Sequence, residues 1–123
     1  MNGDQLMASL LKKEGTEWIS CFPAQTLIEA CSQEGIRPIL CRQERAGVNM
    51  ADAYSRIHNG NKIGVFTMQH GPGAENAFGG VAQAYADNVP MLLIPGGSTA
   101  RRVGVHPGFD AIPNYQHILH DHI

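Results

Sequence analysis

An α/β fold, a parallel sheet with helices on both faces, is predicted for this 123-residue chain by three observations. Short apolar runs alternate with longer runs of helical periodicity, the pattern of strand–helix–strand units. The apolar runs are short enough to be buried strands rather than helices. Glycine and proline stand at the boundaries between runs, at Gly15, Pro23, Gly35 and Gly60. Right-handed crossovers are the default for such a sheet.

Residues 4–14 place Leu6, Met7, Leu10 and Leu11 on one helical face, with Asp4 as a candidate cap and Gly15 as the stop. Residues 17–22 form a short apolar run that reads as a buried strand and is broken by Pro23. Residues 24–34 are helical, with Leu27, Ile28 and Cys31 inward and Gly35 as the end. Residues 36–41 are a second strand with Pro38 near its start. Residues 44–58 give a helix whose stripe is Ala46, Met50, Ala53, Tyr54 and Ile57, ended by Gly60. Residues 62–68 are a strand with Ile63, Val65 and Phe66 as its core. A glycine-rich turn leads into a helix over 74–86, and residues 91–95 are a fourth apolar strand. After Gly96-Gly97 the chain reads as loop, with a short helical piece starting near Ile112 or Asn114. There is no repeat, low-complexity tract or linker, so residues 1–123 are expected to form one domain.

Bulk properties exclude several function classes. The chain is 43% hydrophobic and 16% charged, with a formal net charge of -2, so no basic footprint points to nucleic acid. No apolar run reaches the roughly 18 residues of a membrane span, and Met1-Asn2-Gly3-Asp4 lacks the basic and apolar regions of a secretory signal. Cys21, Cys31 and Cys41 are an odd set without a CxxC pair. They are expected to be reduced, partly buried thiols of a cytoplasmic protein, with no zinc or redox site.

Glu44 opens a helix directly after a strand, and parallel-sheet proteins place ligands at the carboxyl ends of their strands. Position alone is also satisfied by a carboxylate favouring the positive end of a helix dipole. Gly71-Pro72-Gly73 follows a strand and precedes a helix, where glycines allow a sharp turn and a close ligand. A dinucleotide fingerprint would need Gly-x-Gly-x-x-Gly, but Asn76 holds the sixth position, and no Walker pattern exists. His70, just before the turn, is expected to bond to backbone rather than catalyse. His117, His120 and His122 crowd the terminus with only Asp121 as a neighbouring carboxylate, so no metal site is expected. Arg101 and Arg102 read as solvated loop charges.

Taken in order, these pieces carry a resemblance. Glu44 follows Pro38-Ile39-Leu40-Cys41 and opens a run ending in Ala53-Tyr54-Ser55-Arg56. Gly71-Pro72-Gly73-Ala74-Glu75-Asn76, Asp87-Asn88-Val89-Pro90 and the apolar run 91–95 complete the set. The chain, from about Gly3 to His117, resembles the pyrimidine-binding domain of thiamine-diphosphate enzymes of the acetolactate synthase and 2-oxo acid decarboxylase type. The resemblance implies the thiamine-diphosphate-binding fold and a role for Glu44 as cofactor activator. Thiamine chemistry needs a carbanion, formed when the cofactor's own amino group, as its rare imino tautomer, removes a proton. A carboxyl beside the opposite ring nitrogen favours that tautomer by sharing a proton with it, and burial strengthens the bond. The cofactor supplies the remaining chemistry. Pro72 and Asn76 are implied pocket residues, since Gly-Pro-Gly-x-x-Asn is the family's common pattern. Phe22 and Pro23 correspond to a loop that contacts the cofactor, although the family's Phe-Gly-x-Pro-Gly is altered here and Ala24 follows the proline.

Two departures qualify what the resemblance implies. Asp52-Ala53-Tyr54-Ser55-Arg56 stands where Asp-Gly-Tyr-Ala-Arg is common, a change a helix tolerates. Asp110-Ala111-Ile112-Pro113 stands where acetolactate synthases usually carry Asp-Ala-Phe-Gln, which moves the expectation from that enzyme to the wider cofactor class. The family's domain also runs further, so this one is expected to be truncated at its C-terminus. The chain has no Gly-Asp-Gly with a downstream Asn to hold magnesium and diphosphate. It is therefore expected to hold only the pyrimidine half of a site, as a piece, a split-enzyme subunit or a degenerate product. A partner domain or subunit would hold the magnesium, in a homo- or hetero-oligomer acting on a 2-oxo acid. A non-catalytic regulatory or assembly subunit on the same fold is the alternative, and a flavodoxin-like nucleotide binder is a third reading.

Overall fold

The computed structural model describes residues 1–23, 26–97, 99–102 and 105. The expected helical piece near Ile112 or Asn114, the Asp110-to-Pro113 departure, Ala24 and the C-terminal histidines lie outside the described residues. Four helices and four strands alternate strictly: α1 Gly3–Lys13, β1 Trp18–Cys21, α2 Thr26–Gln33, β2 Arg37–Leu40, α3 Glu44–Ile57, β3 Gly64–Met68, α4 Pro72–Ala86 and β4 Met91–Pro95. The strands form one sheet in the order β2-β1-β3-β4, and every pairing is parallel. The expected α/β architecture is thus present, with element ends shifted by at most two residues, as end fraying allows.

Helices cover both faces. Ala8 and Leu11 of α1 and Leu27, Ala30 and Cys31 of α2 pack with Ile19 and Val65 on one side. Val48 and Ala51 of α3 and Ala74 and Ala77 of α4 pack with Phe66 and Met68 on the other. Neighbouring Val65 and Phe66 serve opposite cores because successive strand side chains point to opposite faces. The helix stops follow left-handed backbone chemistry. Asn59 and Gly60 end α3 with φ of 52° and 74°. After α4, Asn88 adopts φ 54° and Val89 N–H donates to the Ala84 carbonyl at 2.8 Å, closing a Schellman motif.

Four expectations change. The cap of α1 is Asn2, not Asp4: its side chain accepts from Gln5 N–H while the Gln5 side chain accepts from Asn2 N–H, a capping box. On α1 only Leu11 of the expected apolar face is buried, whereas Leu6, Met7 and Leu10 are exposed. The Ile63 side chain is exposed because β3 starts at Gly64, two residues later than expected, which leaves Ile63 outside the strand. The largest change is in α3. Its inward face is Gly47, Val48, Ala51, Asp52 and Ser55, whereas the expected stripe is turned outward, with Ile57 78% exposed.

The reason is the close approach of α3 to the sheet. A Cβ on Gly47 would lie 2.2 Å from the Phe66 ring. Ser20 Oγ donates to the Gly47 carbonyl at 2.7 Å, and Gly64 N–H donates to Ser55 Oγ at 2.8 Å. Small and hydroxyl-bearing residues therefore face the strands, leaving the larger apolar residues outside. Tyr54 keeps partial cover by meeting Trp18 edge-on at 4.9 Å.

All three cysteines are free, with Cys21 and Cys31 buried. Burial pushes the Cys21 and Cys31 thiols up to about 11. Cys41 is raised as well, by the same cause. From a starting value of 9.0, a rise to about 11 lowers the thiolate fraction about 100-fold at neutral pH. Iodoacetamide at pH 8 is therefore expected to modify Cys21 and Cys31 only after unfolding, as read by peptide mass spectrometry with and without urea. Full labelling of both in the native chain would contradict it.

Candidate functional site

The topology sets where a site can lie. From β1 the chain steps outward to β2, then returns through α3 to β3 on the other side of β1. The carboxyl ends of β1 and β3 thus flank a switch point, the crevice where open parallel sheets bind ligands. Phe22-Pro23 follows β1, Gln43-Glu44 begins α3, and Gln69 to Pro72 joins β3 to α4. All the expected site residues converge on this one edge.

Glu44 is the first residue of α3, after Gln43 in extended conformation, and is only 7% exposed. Its Oε2 accepts a hydrogen bond from Asn76 Nδ2 at 3.2 Å. Its Oε1 lies on the Gly73 side, where a Cβ on Gly73 would stand 3.2 Å from it and 3.0 Å from Gln69 Cβ. Gly73 thus lets the first turn of α4 come against the carboxylate. Gly71 makes the approach possible, since φ 65° and ψ -120° suit glycine alone. Its carbonyl accepts from Ala74 and Glu75 N–H at 3.0 and 3.1 Å, starting α4, and Pro72 at the first helical position has no N–H to leave unmet.

None of the three ion pairs among the described residues involves Glu44. The carboxyl is held by a neutral amide and is not neutralised by a fixed cation. A buried carboxyl so held can share a proton with a ligand nitrogen.

The other expected site residues fall around this centre. Phe22 is half-buried against the core of Val48, Phe66 and Met68, and its N–H donates to the Thr67 carbonyl at 3.1 Å. Pro23 and Pro72 are exposed on the same edge. His70 is half-buried in the turn, and Arg101 and Arg102 are exposed. Among the described residues no group of three or more His, Cys, Asp or Glu side chains could hold a metal ion. A cleft of about 440 Å³ lined by Trp18, Tyr54, Lys62, Pro90 and Leu92 opens at the opposite, amino-terminal edge of the strands and includes none of the expected site residues.

Sequence reasoning missed three features of α3 and α4, the helices that carry this site. It gave Gly73 no role against Glu44, overlooked the close packing of Gly80 on Val48, and left Arg56 and Asp87 unassigned. The spacing of Asp52 and Arg56, four apart on one helix, was the one available signal.

Known proteins share the family and the fold. The family model described as "Thiamine pyrophosphate enzyme, N-terminal TPP binding domain" matches residues 1–122. The acetolactate synthase large subunit of Haemophilus influenzae is 34% identical over 108 residues, 85% of this chain and 18% of that protein. The Lactococcus lactis acetolactate synthase large subunit is 36% identical over 99 residues, 77% of this chain and 17% of that one. The chain thus spans less than a fifth of these relatives. The crystal structure of benzoylformate decarboxylase from Polynucleobacter necessarius superposes with a TM-score of 0.76 at 22% identity, over 93% of this chain and 22% of that one, a likeness of fold.

Proposed function

Because the chain belongs to the thiamine pyrophosphate enzymes, matching their N-terminal TPP-binding domain, we propose that it supplies the aminopyrimidine half of a thiamine-diphosphate site with Glu44 as the activating acid. One observation carries the proposal: a buried carboxyl at a strand–helix edge, held by Asn76 and approached by Gly73. These residues fit the group. The carboxyl meets the need for a proton shared with a ring nitrogen, and the Gly73 position leaves room where a Cβ would crowd Oε1. Phe22, Pro23 and Pro72 would frame the ring edge. Bound here, thiamine diphosphate supplies the nucleophilic carbon that adds to a 2-oxo acid, for decarboxylation or carboligation. Glu44 holds the proton, Asn76 fixes the carboxyl plane, and Phe22 closes the apolar side.

The residues that would hold magnesium and diphosphate belong, on this reading, to a second domain or subunit. Exposed apolar side chains support such a partner: Leu6, Met7 and Leu10 on α1, Ile57 on α3 and Leu92 on β4 are open to solvent. Among the described residues β4 is an edge strand of the sheet, and an edge strand presents backbone groups that a further element or chain can pair with. The single domain of residues 1–123 is then incomplete without that partner. Its free thiols, and the lack among described residues of a helix long and apolar enough to cross a membrane, fit a cytoplasmic setting.

Co-purification from the source cells tests the reading, followed by turnover of 2-oxo acids with thiamine diphosphate and magnesium. A stoichiometric protein or chain extension with the Gly-Asp-Gly…Asn signature, and activity that needs both parts, is the expected result. Cofactor binding with no turnover would favour the non-catalytic assembly subunit. Failure to bind thiamine diphosphate in any assembly would overturn the proposal.

A further inference from the structure

Two motifs remain without a role at the site: Asp52-Ala53-Tyr54-Ser55-Arg56 at the end of α3 and Asp87-Asn88-Val89-Pro90 after α4. The structure joins them. Arg56 Nε donates to Asp52 Oδ2 at 2.8 Å, and Arg56 Nη2 donates to Asp87 Oδ2 at 2.7 Å. Asp52 is 4% exposed, and its Oδ1 has no hydrogen-bond partner among the described residues. The buried carboxylate therefore depends on Arg56, and in holding it fixes the direction in which the guanidinium reaches. Asp87 is fixed in turn, because the Schellman turn through Asn88 and Val89 sets the backbone just after it.

The helices so joined are the two that carry the site. Both α3 and α4 leave the carboxyl edge of the sheet and run to its amino edge, side by side. They touch at three levels. At the site end Asn76 of α4 donates to Glu44 of α3. In the middle Gly80 lies against Val48, so close that a Cβ on Gly80 would be 2.3 Å from Val48 Cγ1. At the far end Arg56 holds Asp87. The clamp sits roughly 17 Å below the site, at 1.5 Å per residue for the 11 or 12 residues between. Two rods in contact at a glycine can slide or pivot about that point, and separating Asn76 from Glu44 by about 1 Å along their 3.2 Å bond would break it, an error large enough to disable a catalytic group.

We propose that Arg56, anchored by Asp52 and reaching Asp87, is a positioning residue that sets the register of α4 against α3 and thereby the Asn76–Glu44 contact. Its meaning for catalysis rests on the cofactor reading above, but the contact itself exists without cofactor. The two ideas therefore fail separately.

The test is nuclear magnetic resonance of the whole 123-residue chain, following the assigned side-chain Nδ2 protons of Asn76. Asp87→Asn strips the far-end clamp of its charge and weakens it, since only a neutral amide oxygen is left to accept from Arg56, while leaving Asp52 paired with Arg56. It is expected to shift the Asn76 Nδ2 resonances toward those of a solvent-bonded amide. Asp87→Glu, which keeps the charge, should restore part of the shift. Glu17→Gln removes the Glu17–Lys62 ion pair, which bridges other elements at the same edge of the sheet, and should leave Asn76 unmoved. If Asp87→Asn lowers the unfolding midpoint but leaves the Asn76 resonances superimposed on the parent, the pair is only a structural tie and the proposal is wrong. Should Asp87→Asn not fold, Arg56→Lys decides in its place, because a single ammonium beside Asp52 cannot also reach Asp87: shifted Asn76 resonances support the proposal, and resonances superimposed on the parent overturn it.

Discussion

Glu44→Gln is expected to lower kcat of the enzyme assembled around this domain by roughly 10²–10⁴-fold, the range for loss of a positioned acid or base. The substitution is close to isosteric, and the side-chain amide oxygen can still accept from Asn76 Nδ2, now 3.2 Å from Oε2. The approach of Gly73 is undisturbed, and the exposed edge gains no bulk. What is lost is the exchangeable proton: an amide can bond to a ring nitrogen but cannot share a proton with it. The expected signature is therefore a fall in kcat with thiamine diphosphate affinity changed far less. Steady-state kinetics at saturating cofactor, paired with a binding titration, separates the two. Retained turnover would remove Glu44 from the chemistry. Equal loss of binding and turnover would make it a binding residue.

The same residues show how much the sequence could disclose. The order of strands and helices was legible because each apolar run ends at a glycine, a proline or a polar cluster that the backbone needs there. The Glu44 and Gly71-to-Asn76 pairing was legible as a motif, and the parallel sheet explains it by bringing both segments to one edge. The inward side of α3 was not legible. Apolar periodicity says that one helix face avoids water, but not whether the sheet or another surface covers it. Here the sheet takes the glycine, valine, alanine and serine face, because α3 lies too close for anything larger. The Arg56–Asp87 contact was hidden for another reason. Its partners are 31 residues apart, and no local rule pairs residues at that distance.

Gly64→Ala is expected to be the most damaging single-methyl change for stability. A Cβ at Gly64 would lie 2.0 Å from the Ala51 carbonyl oxygen, 2.5 Å from its carbon and 2.6 Å from its Cα. These are backbone atoms of α3, so no side-chain rotation can relieve the contact, and the helix must lift from β3. Lifting it also lengthens the Gly64 N–H bond to Ser55 Oγ and opens the packing of Val48 and Ala51 on Phe66. Overpacking of this kind costs about 3 kcal/mol, at the upper end of the usual range. For a chain of this size that is a fall in Tm of roughly 10 °C. Gly79→Ala gives the contrast. It lies in α4 with no atom within 4 Å of an added Cβ, so the change should stabilise by about 0.5–1 kcal/mol through helix propensity alone. Urea unfolding of the two variants beside the parent chain measures both, and equal midpoints would refute the close α3–β3 approach. Because Glu44 opens the helix that Gly64 supports, a lifted α3 would also draw the carboxyl from Asn76. The tight seat that turns the apolar stripe of α3 outward is then the same one that holds the carboxyl at the edge of the sheet.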